Sequence, residues 1–352
     1  MQLIFLCRES TWSAASTVRG ALWEEYCRHK QAAFKKICLE SVWALPRETD
    51  YRNVCKMYLS LKTFVLLWKQ PCDLLVINKI NYHTLGAVLF CFLRRKPYIL
   101  DVDDWEYRAT GGDVTQTKTL FQRLGDRFAL GAYAVVVAST FLKEYFSFCA
   151  RVVYIPSCSL PDRDAPVPEP SESVRFCWMG MVDRFDAIDS VREILRVFTR
   201  VVRQYPGIRL VIIGKGIFEK ELHRLEASDC LPQVQFHYAI DSRDIPAYLA
   251  KIDAGVLLFP EKNVFYQAKS PTRLFQFFAA GKPVIASAVG ECPLFIRNGV
   301  NGFLVRSEDD LQAVMEGIGK NPGALKELSS GARATVQQWN LQTMARQLTH
   351  SI

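Results

Sequence analysis

The sequence is poor in the features that would settle a function at a glance. Its eleven cysteines stand singly, with no CxxC pair and no short framework spacing, so a disulfide scaffold is not expected and reduced, buried thiols are. The five histidines show no metal-ligand spacing, and neither a GxSxG elbow nor a P-loop occurs. No apolar run approaches the roughly 20 residues of a spanning helix; the longest is 87–93, AVLFCFL. Residues 2–7, QLIFLC, are too short an apolar core for a leader, and Glu9 follows closely. These absences lead to the expectation of a cytoplasmic chain, either soluble or riding at the inner face of the cell membrane.

What is present is a long, core-rich chain. At 352 residues with 49% hydrophobic content it exceeds the usual limit of one core, about 250 residues, so two domains are expected. Charge is uneven: residues 1–165 hold 22 basic against 16 acidic residues, the remainder 22 against 20. The excess concentrates in 19–69, where ten basic residues are interleaved with Trp23, Phe34, Trp43, Phe64 and Trp68. Such a stretch suits an anionic membrane surface or a polyphosphate ligand, and equally a solvated amphipathic face. No nucleic-acid-binding motif accompanies it.

Short β-rich runs alternate with helical patterns. The first series is 2–7, 72–78, 97–102, 133–139 and 151–156, with helices near 14–28, 51–68, 82–94, 115–131 and 139–148. Residues 157–173, SCSLPDRDAPVPEPSES, interrupt it with four prolines and little apolar content. A second series follows at 174–180, 208–214, 234–238, 254–260, 283–287 and 302–305, closed by helices over 307–319 and 322–347. The pattern gives an α/β class chain of two doubly wound parallel sheets. The expected boundaries are 1–160, a linker at 161–173, a second domain at 174–340 and a tail at 341–352. Ligands are then expected just beyond the carboxyl ends of the strands.

Three segments carry candidate chemistry there. In 270–283, SPTRLFQFFAAGKP, Ser270 reads as an N-cap, Pro271 as the first helical residue and Gly281-Lys282-Pro283 as the stop. The start of that helix, flanked by Lys269 and Arg273, offers N–H groups, a dipole and cations to an anion. In 101–106, DVDDWE, a strand ends in four carboxylates; Asp103, Asp104 or Glu106 can orient or deprotonate an acceptor hydroxyl, or cap the next segment. Asp101-Val102-Asp103 is also literally a DxD, a manganese-binding pattern. His83, after the strand at 72–78, reads either as a cleft residue on the acceptor side or as helix-start surface.

The run KSPTRLFQFFAAGKPVIASAVG (269–290) followed by NGVNGFLV (298–305) resembles the C-terminal signature of GT-B glycosyltransferases, the GT4 family in particular. FCWMG (176–180), IRLVIIGKG (208–216) and AGVLLFP (254–260) extend the likeness over most of the second domain. In the first domain YILDVDDWE (98–106) and VVVASTFLKEYF (135–146) share its layout, which puts Ser139 on the acceptor side. The resemblance implies two facing Rossmann-like domains, a nucleoside diphosphate-sugar held by the second, an acceptor by the first, no cofactor and no bound metal. It implies transfer to an acceptor hydroxyl, with retention, in synthesis of a surface polysaccharide or glycolipid. Carried over by position, it assigns Gly180, Lys215, Lys269, Ser270 and Arg273 to the donor, Gln276 to its ribose, and His237 and Ile240 to its base, while Arg184 is expected to replace, from a neighbouring position, a phosphate cation missing from the pattern. Two departures stand out: Ala268 and Gln276 occupy positions where many members have glutamates, and Met181 and Asp186 fall where an arginine and a lysine are usual. They keep two other readings open, a sugar-nucleotide epimerase of the same fold and a catalytically silent partner subunit.

Overall fold

Leu3–Cys7 are fully buried, and this run forms the first strand of a parallel sheet in a computed structural model of the chain. The structure describes residues 1–9, 15–43, 53–105, 119–160, 173–229, 231–241, 244–261 and 263–352. The chain divides into two units, one of Met1–Leu160, Gln267–Ser270 and Asn340–Ile352, the other of Pro161–Tyr266 and Pro271–Trp339. Most of the linker expected at 161–173, residues 161–172, lies outside the described residues.

Unit 1 contains β1 (Gln2–Cys7), β2 (Ala33–Cys38), β3 (Leu74–Asn78), β4 (Tyr98–Val102), β5 (Ala134–Val137) and β6 (Val152–Tyr154), in spatial order β2-β1-β3-β4-β5-β6. All pairs are parallel. β3, β4 and β5 are buried along their whole length, as strands covered on both faces must be. β2 is a strand the alternation of hydrophobic runs does not announce. AFKKIC carries two lysines and exposes most of its first four residues, the composition of an edge strand protected from further pairing.

Unit 2 contains β7 (Arg175–Met181), β8 (Arg209–Lys215), β9 (Val234–Tyr238), β10 (Ala254–Leu257), β11 (Val284–Ser287) and β12 (Gly302–Val305), in order β12-β11-β10-β7-β8-β9. Its longest helix, Phe185–Gln204, buries Ile188, Val191, Ile194, Phe198 and Val201, the recurrence of one helical face. The α/β class and the two doubly wound sheets agree with the sequence. In each unit the strand order reverses beside the first strand, between β1 and β3 and between β7 and β10. Those reversals open the crevices where such sheets bind ligands.

The helix at the heart of the second crevice spans Thr272–Ala279. Gly255 on β10 lets it approach closely, since a Cβ there would lie 2.8 Å from the Phe277 ring. It ends in a Schellman motif: Lys282 N–H donates to Phe277 O and Gly281 N–H to Phe278 O, with Gly281 at φ +68°. Its start differs from expectation. Pro271 is the N-cap and Ser270 lies outside, buried, its Oγ accepting from the Ser157 N–H at 2.8 Å. The closing helix expected over 322–347 is two helices, Ala324–Gln338 and Leu341–Ser351, because Asn340 caps the second through the Thr343 N–H.

Candidate functional site

In unit 2 the site is built around Arg273. Its position in the first turn of the Thr272–Ala279 helix carries the side chain over the end of β7, where one guanidinium NH donates to Met179 O. It passes where residue 180 has no side chain: a Cβ on Gly180 would lie 2.3 Å from that nitrogen. The guanidinium carbon sits 5.7 Å from the Phe259 ring centroid and 6.0 Å from Trp178, so aromatic faces support the cation. Burial lowers its pKa from the ordinary arginine value, with Tyr266 acting the other way. Among the described residues it pairs with no carboxylate. Its remaining N–H donors, beside a helix start that no N-cap side chain closes, can therefore serve a phosphate.

Arg184 stands differently. Its guanidinium holds Asp186 through three bonds, at 3.3, 3.1 and 2.8 Å, and stacks 4.8 Å over Phe265. Asp186 also accepts from Asn263 Nδ2 at 2.9 Å and Tyr266 Oη at 2.6 Å. The bond to Asp186 holds the Arg184 pKa above its ordinary value, and burial with its own hydrogen bond to Asp186 raises Tyr266. The expectation that Arg184 replaces a missing phosphate cation meets a charge already answered internally. Met181, at the usual arginine position, is half exposed.

The remaining donor candidates fall as follows. Lys215 ends β8, exposed, before Gly216 at φ +148°; Asp183 Oδ1 closes that turn by accepting from the Ile217 N–H at 3.0 Å. Gln276 is exposed on the Thr272–Ala279 helix with no side-chain hydrogen bond among the described residues. His237 lies within edge strand β9, not after it, and its ring meets Tyr248 edge-on at 5.0 Å; burial lowers its pKa. Ile240 follows, packed on the core. Lys269 belongs to unit 1, with its ammonium 3.9 Å from Asp104, so a carboxylate faces it where, among the described residues, none pairs with Arg273.

In unit 1 a charged network occupies the ends of β1, β3 and β4. Lys79 Nζ bonds Glu9 at 2.7 Å and Asp104 at 3.1 Å. Its backbone is left-handed at φ +63° and donates to Asp101 O at 2.8 Å, a conformation a lysine adopts only when its surroundings insist. Burial opposes ionisation of Glu9 and Asp104, but Lys79 with Arg8, and Lys269 with Lys79, outweigh it and hold both below the usual carboxylate range. Asp103 goes the other way. Burial, with Asp104, Glu9 and Asp101 nearby, pushes it up to about 7 against the pull of Lys79, and Asn78 Nδ2 donates to its Oδ1 at 3.3 Å. A half-buried carboxyl poised near neutrality beside a fixed cation can exchange a proton with a bound hydroxyl.

Three expectations change here. Asp101 faces inward, accepting from Arg19 Nε at 3.0 Å and Trp23 Nε1 at 2.7 Å, so the DxD reading loses its first carboxylate to a buried ion pair. Among the described residues no group of three His, Cys, Asp or Glu side chains could hold a metal ion. His83 is fully buried, not surface: Nε2 lies 3.0 Å from Asn78 O, and burial pushes its pKa down to about 3. Ser139 is a buried N-cap whose Oγ accepts from the Leu142 N–H at 3.2 Å. Glu106 lies outside the described residues. Sequence reasoning missed Glu9 and Lys79, and only the topology signals them, since they lie two residues and one residue beyond the strands flanking the reversal.

Residues 174–320 match the family model described as Glycosyl transferases group 1. A trehalose synthase of Pyrococcus horikoshii is 24% identical over 166 residues, 45% of this chain and 39% of that protein. The UDP-glycosyltransferase TURAN of Arabidopsis thaliana is 28% identical over 140 residues, 37% of this chain and 29% of that protein. The similarity thus spans well under half the length of these curated relatives. Among solved structures, sucrose-phosphate synthase from Thermosynechococcus elongatus superposes with a TM-score of 0.74 at 16% identity, covering 99% of this chain and 98% of that one. HepE from Anabaena, solved in complex with UDP-glucose, does so with 0.73 at 15%, covering 99% and 98%. These two share the fold.

Proposed function

Because its second unit belongs to the glycosyl transferases group 1 and its fold is GT-B, we propose that the chain transfers a sugar from a nucleoside diphosphate-sugar to an acceptor hydroxyl. The observation that carries this reading is Arg273, a half-buried cation with spare donors and no carboxylate partner among the described residues, set over Gly180 at a helix start. It neutralises charge on the diphosphate as the bond to the sugar breaks, with the first-turn amides as further donors. Gln276 accepts from or donates to the ribose hydroxyls, and Lys215 and His237 border the nucleotide. HepE was solved with UDP-glucose, which makes UDP-sugars the first donors to try.

In unit 1 Asp103 receives the proton of the attacking hydroxyl or orients it, with Lys79 and Asp104 setting the field. The anomeric configuration is retained, no metal is required, and the acceptor is a carbohydrate or lipid-linked sugar presented at an anionic membrane surface. The test is thermal stabilisation by UDP-, GDP-, dTDP- and ADP-sugars, followed by transfer to acceptor sugars with the product anomer read by NMR. One base is expected to stabilise and to support transfer. Stabilisation by none of the four overturns the assignment, and sugar modification without an acceptor replaces it with an epimerase.

A further inference from the structure

Unit 1 carries an apolar face that the described residues leave exposed. Nine exposed large apolar side chains lie on just two helices, Asn53–Trp68 and Tyr82–Arg94. Met57, Leu61 and Trp68 recur along one side of the first helix; Leu89 and Phe92 do so on the second, Phe92 being 78% exposed. Gly86 lets the two helices meet backbone to backbone, since a Cβ there would fall 2.0 Å from Ser60 O, so the helices that bear the two apolar stripes lie side by side. Isolated exposed leucines need no explanation, but a shared face of this kind does.

Its charge points to the occupant. Neither helix contains an acidic residue, while Lys56, Lys62, Lys69, Arg94 and Arg95 lie on them or at their ends. In contrast the helices Gly20–His29 and Phe185–Gln204 mix both signs. Lys62 Nζ sits 4.7 Å over the Tyr58 ring, and the Arg94 guanidinium 5.0 Å over Trp68. Cations that lay their stems along apolar rings keep their heads at the rim of the face. An apolar centre with a mainly cationic rim, Asp73 at its edge being paired with Lys96, is complementary to acyl chains beneath anionic headgroups. Two copies of it brought together would set like charges against each other.

We propose that the paired helices Asn53–Trp68 and Tyr82–Arg94 form a membrane-docking face that inserts Leu61, Leu89 and Phe92 into a bilayer bearing anionic lipids. This deepens the reading of an acceptor presented at a membrane, and it moves the contact from the basic stretch 19–69 as a whole to one face that includes residues 85–95.

The experiment is co-sedimentation of the full chain with vesicles of phosphatidylcholine alone and with added phosphatidylglycerol. Binding is expected only with the anionic lipid and is expected to weaken, without vanishing, as salt rises. Phe92→Glu should reduce partitioning about tenfold or more, because a side chain already in water loses only its insertion. The double neutralisation Lys56→Gln, Lys69→Gln should cost about tenfold at low salt. Both positions are exposed, so melting temperature should stay at the parent value. Failure of the parent to bind, or Phe92→Glu binding like the parent, overturns the proposal. A concentration-dependent dimer abolished by Phe92→Glu overturns it in favour of a second copy. Nucleotide-sugar stabilisation, measured on the same variants, reports on the donor assignment separately.

Discussion

The guanidinium of Arg273 occupies the volume that a side chain at residue 180 would need. Glycine at 180 is therefore a condition for the cation's position rather than a loop convenience. Gly180→Val should push the guanidinium aside while leaving its charge in the protein. Nucleoside diphosphate affinity, measured by calorimetry, should fall about tenfold or more, and melting temperature should fall as well, because the added Cβ would also lie 2.9 Å from the buried Trp178 ring.

Arg273→Ala removes the charge itself. Loss of a charge-assisted contact to phosphate is worth about 1.5–3 kcal/mol, or about 10- to 150-fold in affinity. Arg273→Lys should recover part of this, since it keeps the charge without the planar fork. Affinity unchanged in the alanine variant would remove Arg273 from the donor site.

Gln276 is exposed, so Gln276→Ala should not move stability. If its carboxamide meets the ribose, the parent should prefer UDP over 2′-deoxy-UDP, and the variant should bind the two alike. A preference that survives the substitution places ribose recognition elsewhere.

Asp103 titrates near 7 in the folded chain against an unfolded value of 3.8. A raised carboxyl favours the protonated fold, so its contribution is full below pH 4 and is lost as pH rises from about 4 to about 7. Asp103→Asn should therefore gain on the parent across that interval and hold a constant advantage above it, seen in urea unfolding at several pH values. Transfer activity should do the reverse, with the parent rate rising through about pH 7 and the variant's low and flat.

Lys79 separates Glu9 from Asp104, and Lys79→Met leaves two carboxylates facing each other. The expected cost at pH 7 is about 3 kcal/mol, the scale for stripping one partner from a largely buried ion pair. Both acids have depressed values in the parent, so this stabilisation is present above the unfolded carboxylate range and fades as pH falls below it. The gap between parent and variant should narrow as pH falls below the unfolded values of 4.5 and 3.8.

The strands made of continuous apolar runs were readable from the sequence, because burial on both faces leaves no other composition for them. So was the Schellman stop at Gly281, where the chemistry is local. β2 was not, since an edge strand with two lysines lacks the apolar signal, and the break at Asn340 was hidden inside one continuous helical pattern. In the candidate site the reach from sequence to side chain was shorter still. Arg273 could be named from its place after a strand, but Arg184 and Asp101 look equally available in one dimension. Asp186, two residues along the chain, already answers the first, and only the fold brings Arg19 to the second. Glu9 and Lys79 are 70 residues apart and are joined by the topology alone.

The pair formed by Arg19 and Asp101 reaches further than the loss of a metal motif. The guanidinium also donates to Ile155 O at 2.7 Å, and Trp23 shares the same carboxylate. The end of β4, the helix at Gly20–His29 and the segment after β6 thus converge on one buried charge. None of them can fray alone without stranding that charge in the core, so they share one opening free energy and behave as a single cooperative block of unit 1.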